Sequence, residues 1–438
     1  MQVLPMKTTI RVTKLLSSDS SIKFSIDSPK ESTVAGDHRH FIKLKGWFFS
    51  EVGEAPDLVL DTGPRVNLPA LIERPDVALA YDKAPACCGF ETLLELGVNA
   101  KLGYMRDNGV EWLASVVFER VSVLIGHDDY LFLDHDSNRS VSQFRGDLLI
   151  DKQNLTLWRE YFAKIAEEEQ NHKFKSAFLM APGKEYIFPE HYPVIRSGTT
   201  PADQFISHFS EDISIINPTT QLITERNFTY SKVDTHWTHY GARVAARLVC
   251  QHFNQTFVNP DFNYKYTRTS GDLGSKFSPP RTEVVPLPDY SSVNQYRIFD
   301  NKVLNRGRVH IYQNNDTINK ATCLIFGDSF STPLIIYLVF SFARVVHVFS
   351  GADIDWSIVH NEQPDFLLAE MTTRFFIKSP SAKFSLKTEL LRKCSGYSDS
   401  QRRSAITNLE RFNDPSVQFY RSMAADALNI ADQPGLPS

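Results

Sequence analysis

Cysteine is scarce in this sequence, with five residues in 438, and no two of them stand in a C-x-x-C pair. Two of the five, Cys87 and Cys88, are adjacent and are not expected to bridge each other. The sequence therefore indicates neither a disulfide framework nor a cysteine-based zinc site, and buried free thiols are expected instead. The histidines lack the spacing of metal ligands, so we predict no metal site and no bound cofactor.

A charge excess and a membrane-spanning apolar run are also missing. The formal net charge is -4, which gives no electrostatic reason to expect nucleic acid as a partner. The first twenty residues lack the apolar core of a secretory signal, and the most apolar later stretch, residues 333–349, is interrupted by Arg344 and His347. These features predict that the chain has no transmembrane segment and that the protein is located in the cytoplasm.

The length and the local patterns predict two domains, because 438 residues are more than one domain usually holds. Residues 20–122 contain short runs of apolar, β-branched and aromatic residues separated by Gly, Pro, Asp and Asn, which is typical of a small antiparallel β-sandwich. Over residues 123–395 helices alternate with apolar strands, which predicts a three-layer α/β/α domain around a parallel sheet. In such sheets ligands bind at the carboxyl ends of the strands.

Three segments lie outside this scheme. Residues 1–19 are interpreted as an N-terminal extension, residues 257–320 as an irregular insertion rich in Pro, Asn, Asp and Gly, and residues 396–438 as a polar tail with one helix. Within the α/β domain, helical spacing predicts that Leu157, Tyr161 and Ile165 share one apolar helix face.

The sharpest local feature is Gly327-Asp328-Ser329-Phe330, which follows the predicted strand Cys323–Phe326. A serine at this point is exposed at the edge where the sheet binds ligands. Its own backbone N–H can help to stabilise an oxyanion, aided by the N-terminus of the following helix. The alternative is a purely structural turn, in which Asp328 serves as a turn or helix-start residue.

A second feature, Asp234-Thr235-His236-Trp237, precedes a helix with Thr238 as its predicted N-cap. A serine hydroxyl is a poor nucleophile until a base takes its proton, and a carboxylate on the far ring nitrogen orients that base. Since both features fall at junctions where catalytic residues of an α/β sheet belong, we predict Ser329 as nucleophile, His236 as base and Asp234 as its partner. One alternative is that His236 has no catalytic role. The other is that His360 is the base in place of His236.

The G-D-S segment and the D-x-H-W loop together resemble the SGNH-hydrolase-like O-acetyltransferases of alginate synthesis, the AlgX and AlgJ type. In that family the Asp-His pair precedes the serine, and this chain has the same order. Similar segments between about residues 123 and 395 are Tyr130-Leu131-Phe132-Leu133, Ala181-Pro182-Gly183-Lys184, Phe188-Pro189-Glu190, Gly271-Asp272-Leu273 and Glu370-Met371-Thr372-Thr373-Arg374. The resemblance implies an SGNH-like, flavodoxin-like sheet and a serine O-acyltransferase, most simply an O-acetyltransferase, that modifies a bacterial glycan.

The resemblance also implies that the Ser329 backbone, Arg374, Lys184 and Tyr240 border the oxyanion or substrate site, although a salt bridge is an equal alternative for Arg374 and Lys184. An acyl donor is required, either acetyl-CoA or an acetylated partner protein, together with a glycan acceptor. Members of the family are exported, in contrast to the cytoplasmic location predicted above. A carbohydrate esterase with the same triad and a glycan-binding protein with an idle triad are the alternative functions.

The N-terminal sandwich has a resemblance of its own, to a β-domain found beside bacterial glycosyltransferase domains. The residues that carry it are Gly46-Trp47, Arg74-Pro75-Asp76-Val77, Tyr81 and Gly89-Phe90. This resemblance implies a glycosyltransferase as a possible partner protein. The alternative is that these aromatic residues only fill the core of the sandwich.

Overall fold

The computed structural model describes residues 8–15, 21–29, 33–35, 41–95, 98–107, 109–119, 122–277 and 279–430. The contacts within the chain divide it into two compact units. One unit ends at Ser122 and also takes in Ser275–Arg281, and the other contains the remaining residues from Val123 onward.

The first unit is built from antiparallel strands. They are β1 (Thr8–Lys14), β2 (Ile22–Ser28), β3 (Thr33–Ala35), β4 (Phe41–Ser50), β5 (Leu58–Asp61), β6 (Arg65–Asn67), β7 (Ile72–Glu73), β8 (Cys87–Glu95), β9 (Ala100–Arg106) and β10 (Gly109–Glu119), with one helix, α1 (Pro75–Ala80). The strands form a six-stranded sheet in the order β3-β1-β10-β9-β5-β6 and a four-stranded sheet in the order β2-β4-β8-β7. Leu44 of β4 and Leu102 of β9 lie in a core that both sheets share, which confirms the predicted β-sandwich.

Strand β1 lies in the segment that the sequence analysis interpreted as an N-terminal extension. It pairs with β10 in antiparallel register, and its residues Ile10 and Val12 are buried. The alternation of polar and apolar residues in TTIRVTK is that of a half-buried strand. The extension is therefore wrong for residues 8–14, while residues 1–7 and 16–19 of that prediction lie outside the described residues.

The second unit is built around a seven-stranded sheet. The strands after residue 121 are β11 (Ser122–Ile125), β12 (Leu131–Asp134), β13 (Lys175–Ala181), β14 (Ile215–Ile216), β15 (Tyr264–Thr269), β16 (Glu283–Pro288), β17 (Arg297–Asp300), β18 (Val309–Gln313), β19 (Thr322–Gly327), β20 (Arg344–Phe349) and β21 (Phe366–Thr372). The large sheet has the order β14-β13-β21-β19-β20-β18-β17. Its first five strands are parallel to one another. At one edge of the sheet, β18 pairs antiparallel with β20, and β17 pairs antiparallel with β18. The pairs β11-β12 and β15-β16 form separate two-stranded sheets.

Helices cover both faces of this sheet. They are α2 (Ser140–Arg145), α3 (Lys152–His172), α4 (Lys184–Ile187), α5 (Pro201–Phe209), α6 (Thr219–Thr224), α7 (His239–His252), α8 (Gly271–Gly274), α9 (Ser291–Asn294), α10 (Ser331–Leu338), α11 (Trp356–Glu362), α12 (Leu386–Cys394), α13 (Asp399–Leu409) and α14 (Gln418–Ile430). Phe178 and Met180 of β13 pack in a core with α3, α5 and α11, whereas Leu179 and Ala181 pack in a second core with α7 and α10. This alternation confirms the predicted three-layer α/β/α arrangement.

Three local predictions need correction. Residues 297–313, inside the predicted insertion 257–320, form β17 and β18, because the buried run Val309–Tyr312 pairs with β20. In the C-terminal tail, the described residues 396–430 form two α-helices rather than one, and Tyr420 is buried in the core to which α3 also contributes. On α3, Tyr161 and Ile165 are buried as predicted, but Leu157 is 41% exposed and the next residue, Trp158, is fully buried in its place.

Candidate active site

The end of β19 carries the Gly-Asp-Ser segment at the carboxyl edge of the sheet. The strand residues Cys323–Phe326 are buried, and the chain leaves the strand at Gly327 and enters α10 at Ser331. A Cβ atom on Gly327 would lie 2.7 Å from Oε2 of Glu370, which is too close for nonbonded atoms. Glycine is therefore required at the point where the chain turns to present Ser329.

Asp328 fixes the backbone on both sides of Ser329. Its carboxylate accepts hydrogen bonds from the N–H groups of Phe330 at 2.8 Å and Thr372 at 2.9 Å, and its own N–H donates to Oε2 of Glu370 at 2.9 Å. Burial raises the pKa of Glu370 well above its ordinary value, and the adjacent Asp328 carboxylate raises it further, so this site favours the protonated acid. Asp328 therefore has the structural role in the turn that was the alternative interpretation of this segment. That role is compatible with the presence of Ser329 at the edge of the sheet.

A second loop, which leads into α7, carries Asp234 and His236. It ends at Thr238, whose hydroxyl oxygen accepts a hydrogen bond from the first turn of α7, as the sequence predicts. The indole N–H of Trp237 donates to the carbonyl of Phe330 at 3.0 Å. This bond ties the loop directly to the turn that holds the serine.

Lys184 holds the backbone of the same loop. Its Nζ donates to the carbonyls of Ser231, Lys232 and Asp234 at 2.9, 3.0 and 2.7 Å. The side chain is buried, and burial lowers the pKa of Lys184 to about 7. Three carbonyl acceptors match the three N–H groups of an ammonium, whereas a neutral amine has only two, so these contacts depend on the protonated form.

The two loops bring serine, imidazole and carboxylate into a continuous hydrogen-bonded chain. Ser329 Oγ lies 2.8 Å from Nε2 of His236, and Nδ1 of His236 lies 2.7 Å from Oδ1 of Asp234. The same Oδ1 accepts the backbone N–H of His236 at 2.9 Å. Both side-chain distances lie in the range of a nucleophile bonded to its base and a base bonded to its orienting group.

The charges of Asp234 and His236 stabilise each other despite their burial. Burial raises the pKa of Asp234, but the hydrogen bond and the charge of His236 lower it to about 2. Burial lowers the pKa of His236, but the hydrogen bond and the charge of Asp234 raise it above the ordinary 6.5. The pair therefore favours an imidazolium beside a carboxylate, which is the state that a general base reaches after it takes a serine proton.

Ser329 and His236 line a cavity with a volume of about 690 Å³. Both residues are half-buried, and apolar side chains such as Leu287 and Ile335 form part of the wall. Small-molecule sites usually measure roughly 300 to 1,000 Å³, so this cavity can hold a ligand against the serine hydroxyl.

The wall formed by the edge strands β17 and β18 is cationic. Arg297 and Arg308 line the cavity, and together with Lys302 they surround the buried Asp300, at 3.7, 3.0 and 2.9 Å. Burial raises the pKa of Asp300, but the hydrogen bond from Arg308 and the other nearby cations bring it below the ordinary value. Three cations thus share one carboxylate, and this wall carries a net positive charge.

Three other residues that the resemblance placed at the ligand site are not among the residues that line this cavity. The hydroxyl of Tyr240 donates to Glu225 at 2.5 Å, and the guanidinium of Arg374 lies over the ring of Phe330, 5.8 Å from its centroid. Lys184 is engaged with the loop carbonyls. Lys184 and Arg374 line a separate, smaller pocket, and the role of all three residues at a ligand site stays a prediction.

Asp272 supports the site in a way that the sequence analysis missed. Its carboxylate accepts the N–H of Thr235 at 2.7 Å and the hydroxyl of Thr235 at 2.5 Å, while its own N–H donates to Oδ2 of Asp234 at 3.2 Å. The signal that could have revealed this role is the Gly271-Asp272-Leu273 segment. Gly271 has φ +56°, and a Cβ there would lie 2.4 Å from a loop carbonyl.

Two groups of described residues bring three possible metal ligands within 4.8 Å of one another. One is Asp234, His236 and Asp272, whose ligand atoms already make the hydrogen bonds described above. The other is Glu168 with His172 and His360. The structure therefore places His360 beside Glu168. Of the two histidines considered as the base, it is His236 that lies beside Ser329.

A doubly covered α/β sheet with serine, imidazole and carboxylate side chains at its carboxyl edge has the arrangement of the SGNH hydrolase-like class. Residues 123–332 match the family model of the SGNH hydrolase-like domain of the acetyltransferase AlgX. The resemblance noted from the sequence is thereby confirmed for this part of the chain, which is just under half of its 438 residues. The match begins after the β-sandwich, so the resemblance of that domain stays a prediction.

Several solved structures are similar to the chain at low sequence identity. PatB1 of Bacillus cereus is 11% identical, with 61% of this chain and 99% of that chain covered and a TM-score of 0.44. The O-acetyltransferase domain of Pseudomonas putida AlgJ is 17% identical, with coverages of 60% and 95% and a TM-score of 0.38. Pseudomonas aeruginosa AlgX is 16% identical, with coverages of 60% and 68% and a TM-score of 0.38. No curated protein has a significant sequence match to the chain.

The family match corrects the predicted location. AlgX and AlgJ are periplasmic, so the relationship contradicts the cytoplasmic location that was inferred from the first twenty residues. The composition of those residues is a weaker guide than the type of domain that follows. Within the described ranges, no helix has both the length and the apolar character needed to cross a bilayer.

Proposed function

We propose that this protein is an O-acyltransferase, most simply an O-acetyltransferase, that transfers an acyl group to a hydroxyl of a bacterial glycan through a covalent intermediate on Ser329. The observation that carries the proposal is the chain of hydrogen bonds from Ser329 through His236 to Asp234, at 2.8 and 2.7 Å, on the wall of a cavity large enough for a ligand. The match of residues 123–332 to an acetyltransferase domain supports acyl transfer as the chemistry.

In the first half-reaction the Ser329 proton passes to Nε2 of His236 while Oγ attacks the carbonyl carbon of the acyl donor. The tetrahedral intermediate collapses, His236 returns the proton to the leaving group, and the acyl group stays on Oγ. Asp234 stabilises the imidazolium through Nδ1. The backbone N–H of Ser329 is one donor to the oxyanion, and a donor of this kind is typically worth about 3 kcal/mol.

In the second half-reaction a glycan hydroxyl gives its proton to His236 and attacks the acyl carbonyl. The bond to Ser329 breaks, and Oγ takes the proton back from His236, so the enzyme returns to its starting state. The donor in this scheme is acetyl-CoA or an acetylated partner protein. A glycosyltransferase that supplies the glycan is a further proposed partner.

Mass spectrometry of Ser329 after brief exposure to acetyl-CoA, p-nitrophenyl acetate or a serine-reactive phosphonate tests the nucleophile. We expect one acyl or phosphonyl group on Ser329 and none in Ser329→Ala. Ser331 provides a matched control, since its Oγ lies 2.7 Å from Nε2 of His347 but is fully buried. Ser331→Ala is expected to be modified like the unaltered protein, whereas modification that persists in Ser329→Ala would refute the assignment.

Incubation of the protein with an acetyl donor, with and without glycan, separates the alternative functions. Acetyl groups that appear on the glycan only when enzyme and donor are both present indicate a transferase. Acetate release that is independent of glycan indicates a carbohydrate esterase. Measurable glycan binding without any modification of Ser329 indicates a glycan-binding protein with an idle triad.

A further inference from the structure

A cluster of metal-ligating side chains lies on the second unit, away from the serine. Oε2 of Glu168 is 3.2 Å from Nε2 of His172 and 3.1 Å from Nε2 of His360. The two ligand atoms on α3 are four residues apart and so face the same side of the helix, and the third comes from α11. Because His172 and His360 are almost two hundred residues apart, their spacing in the sequence does not reveal the cluster.

Two of the three separations between the ligand atoms match those that a small tetrahedral ion requires, and all three lie within 4.8 Å. With metal–ligand bonds of about 2.0 to 2.1 Å, neighbouring ligand atoms in a tetrahedron lie about 3.3 Å apart. The two carboxylate–imidazole separations, 3.2 and 3.1 Å, are close to this value. Two imidazoles and one carboxylate form the ligand set of many zinc sites, whereas magnesium and calcium prefer sites made of oxygen atoms alone.

The surroundings of the cluster also favour a cation. Lys164 binds Oε1 of Glu168 at 2.8 Å and Glu167 at 3.0 Å, so one lysine is shared by two carboxylates and Oε2 of Glu168 remains directed at the imidazoles. His172 is the last residue of α3, a helix of 21 residues whose C-terminal end carries partial negative charge. Glu168 is buried, while the two imidazoles are close to half exposed, so an ion could enter from solvent and keep a water as its fourth ligand.

The position in the fold indicates a structural role. Helix α3 ends just before β13, and α11 ends just before β21; these strands are neighbours, with Lys175 paired to Phe366 at their amino ends. The cluster therefore lies at the amino edge of the sheet, whereas Ser329 follows the carboxyl end of β19. We propose that Glu168, His172 and His360 bind one divalent transition-metal ion of the zinc type, which joins the C-terminal ends of α3 and α11 and stabilises this edge of the fold.

Isothermal titration of the full chain with Zn²⁺ after treatment with a chelator tests this site, with thermal unfolding as a second readout. We expect one tightly bound ion per chain and a rise in Tm on zinc addition that excess chelator reverses. His172→Ala and His360→Ala, on two different helices, should each weaken zinc binding by more than about tenfold and remove the rise in Tm. His208→Ala, an exposed histidine on α5, is the matched control and should behave like the unaltered chain.

Absence of stoichiometric zinc binding in the unaltered chain would overturn the proposal. Undiminished binding in both His172→Ala and His360→Ala would do the same, because the ion would then be bound elsewhere. A loss in His208→Ala equal to that in the cluster variants would show that the histidines bind zinc without a defined site. Circular dichroism of each variant at the titration temperature ensures that a folded protein is compared.

Discussion

The raised pKa of Glu370 leads to an unusual dependence of stability on pH. Glu370 is fully buried under the serine turn, where Oε2 accepts the N–H of Asp328 and the neighbouring carboxylate of Asp328 favours the protonated acid. The pKa of Glu370 in the folded protein is therefore above that in the unfolded chain. As pH rises, a folded state is destabilised if it still holds a proton that the unfolded state has lost. The contribution of Glu370 to the free energy of unfolding is therefore greatest near or below pH 4.5 and declines above it.

The magnitude follows from linkage. One extra proton in the folded state lowers the free energy of unfolding by about 1.4 kcal/mol for each pH unit between the unfolded and folded pKa values. Glu370→Gln replaces the neutral acid by an amide of the same shape, whose oxygen can accept the Asp328 N–H and whose NH₂ can donate to the Asp328 carboxylate. We expect the stability of Glu370→Gln relative to the unaltered protein to improve by about 1.4 kcal/mol per pH unit from pH 4.5 up to the pKa of Glu370 in the folded protein.

Urea unfolding at pH 5, 6, 7 and 8 measures this difference directly, since the other titrating groups are common to both proteins and cancel. Glu362→Gln is a control of opposite sign, because buried Glu362 forms a two-point ion pair with Arg344 at 2.7 and 3.0 Å and should lose stability on neutralisation. Glu370→Ala should cost about 2 to 4 kcal/mol, because it leaves the Asp328 N–H without an acceptor and opens a cavity. A difference between Glu370→Gln and the unaltered protein that does not change with pH would refute the assignment of a neutral Glu370.

Two further predictions concern the loop before α7. Asp234→Asn should lower the rate of Ser329 acylation by about 10⁴-fold, since an amide cannot stabilise the imidazolium. The residual activity should persist to lower pH, because His236 loses the contact that raises its pKa above 6.5. A pH–rate profile of p-nitrophenyl acetate turnover measures both effects. An acidic limb of the profile that does not move would contradict the role of Asp234. Lys184→Met should remove three hydrogen bonds to loop carbonyls and so slow the acylation of Ser329 while the fold persists. Phosphonate labelling of Ser329 measures this rate. Labelling at the rate of the unaltered protein would show that Lys184 does not hold the loop in the position that acylation requires.

The sequence predicted the residues of the site that lie at junctions between elements. Ser329 follows an apolar strand and His236 precedes a helix, and the order of elements in an α/β sheet brings such junctions to one edge. It did not reveal Asp272, because that residue acts through Thr235 and Asp234 in a segment with little apolar pattern. A bond that joins irregular segments far apart in the chain leaves no periodic signal.

The same limit explains the errors in the fold. Strands β17 and β18 are short and lie in a stretch rich in turn residues, so their contribution to the sheet depends on pairing with β20 rather than on local propensity. Helical spacing alone places Leu157 on the buried face of α3, four residues before Tyr161. The core instead contains Trp158 and Phe162, which have the same spacing, beside Tyr161 and Ile165, and leaves Leu157 exposed.

The hydrogen bonds that hold the triad bear on what separates a transferase from a hydrolase in this fold. Lys184 fixes the carbonyl of Asp234, and the indole of Trp237 ties the histidine loop to the carbonyl of Phe330. These contacts hold the serine, imidazole and carboxylate within hydrogen-bonding distance of one another. In the proposed reaction, water and a sugar hydroxyl would meet the same base. Selection of the sugar therefore has to come from affinity for the acceptor within the cavity, and the cavity wall is where variants should change the ratio of transfer to hydrolysis without changing acylation of Ser329.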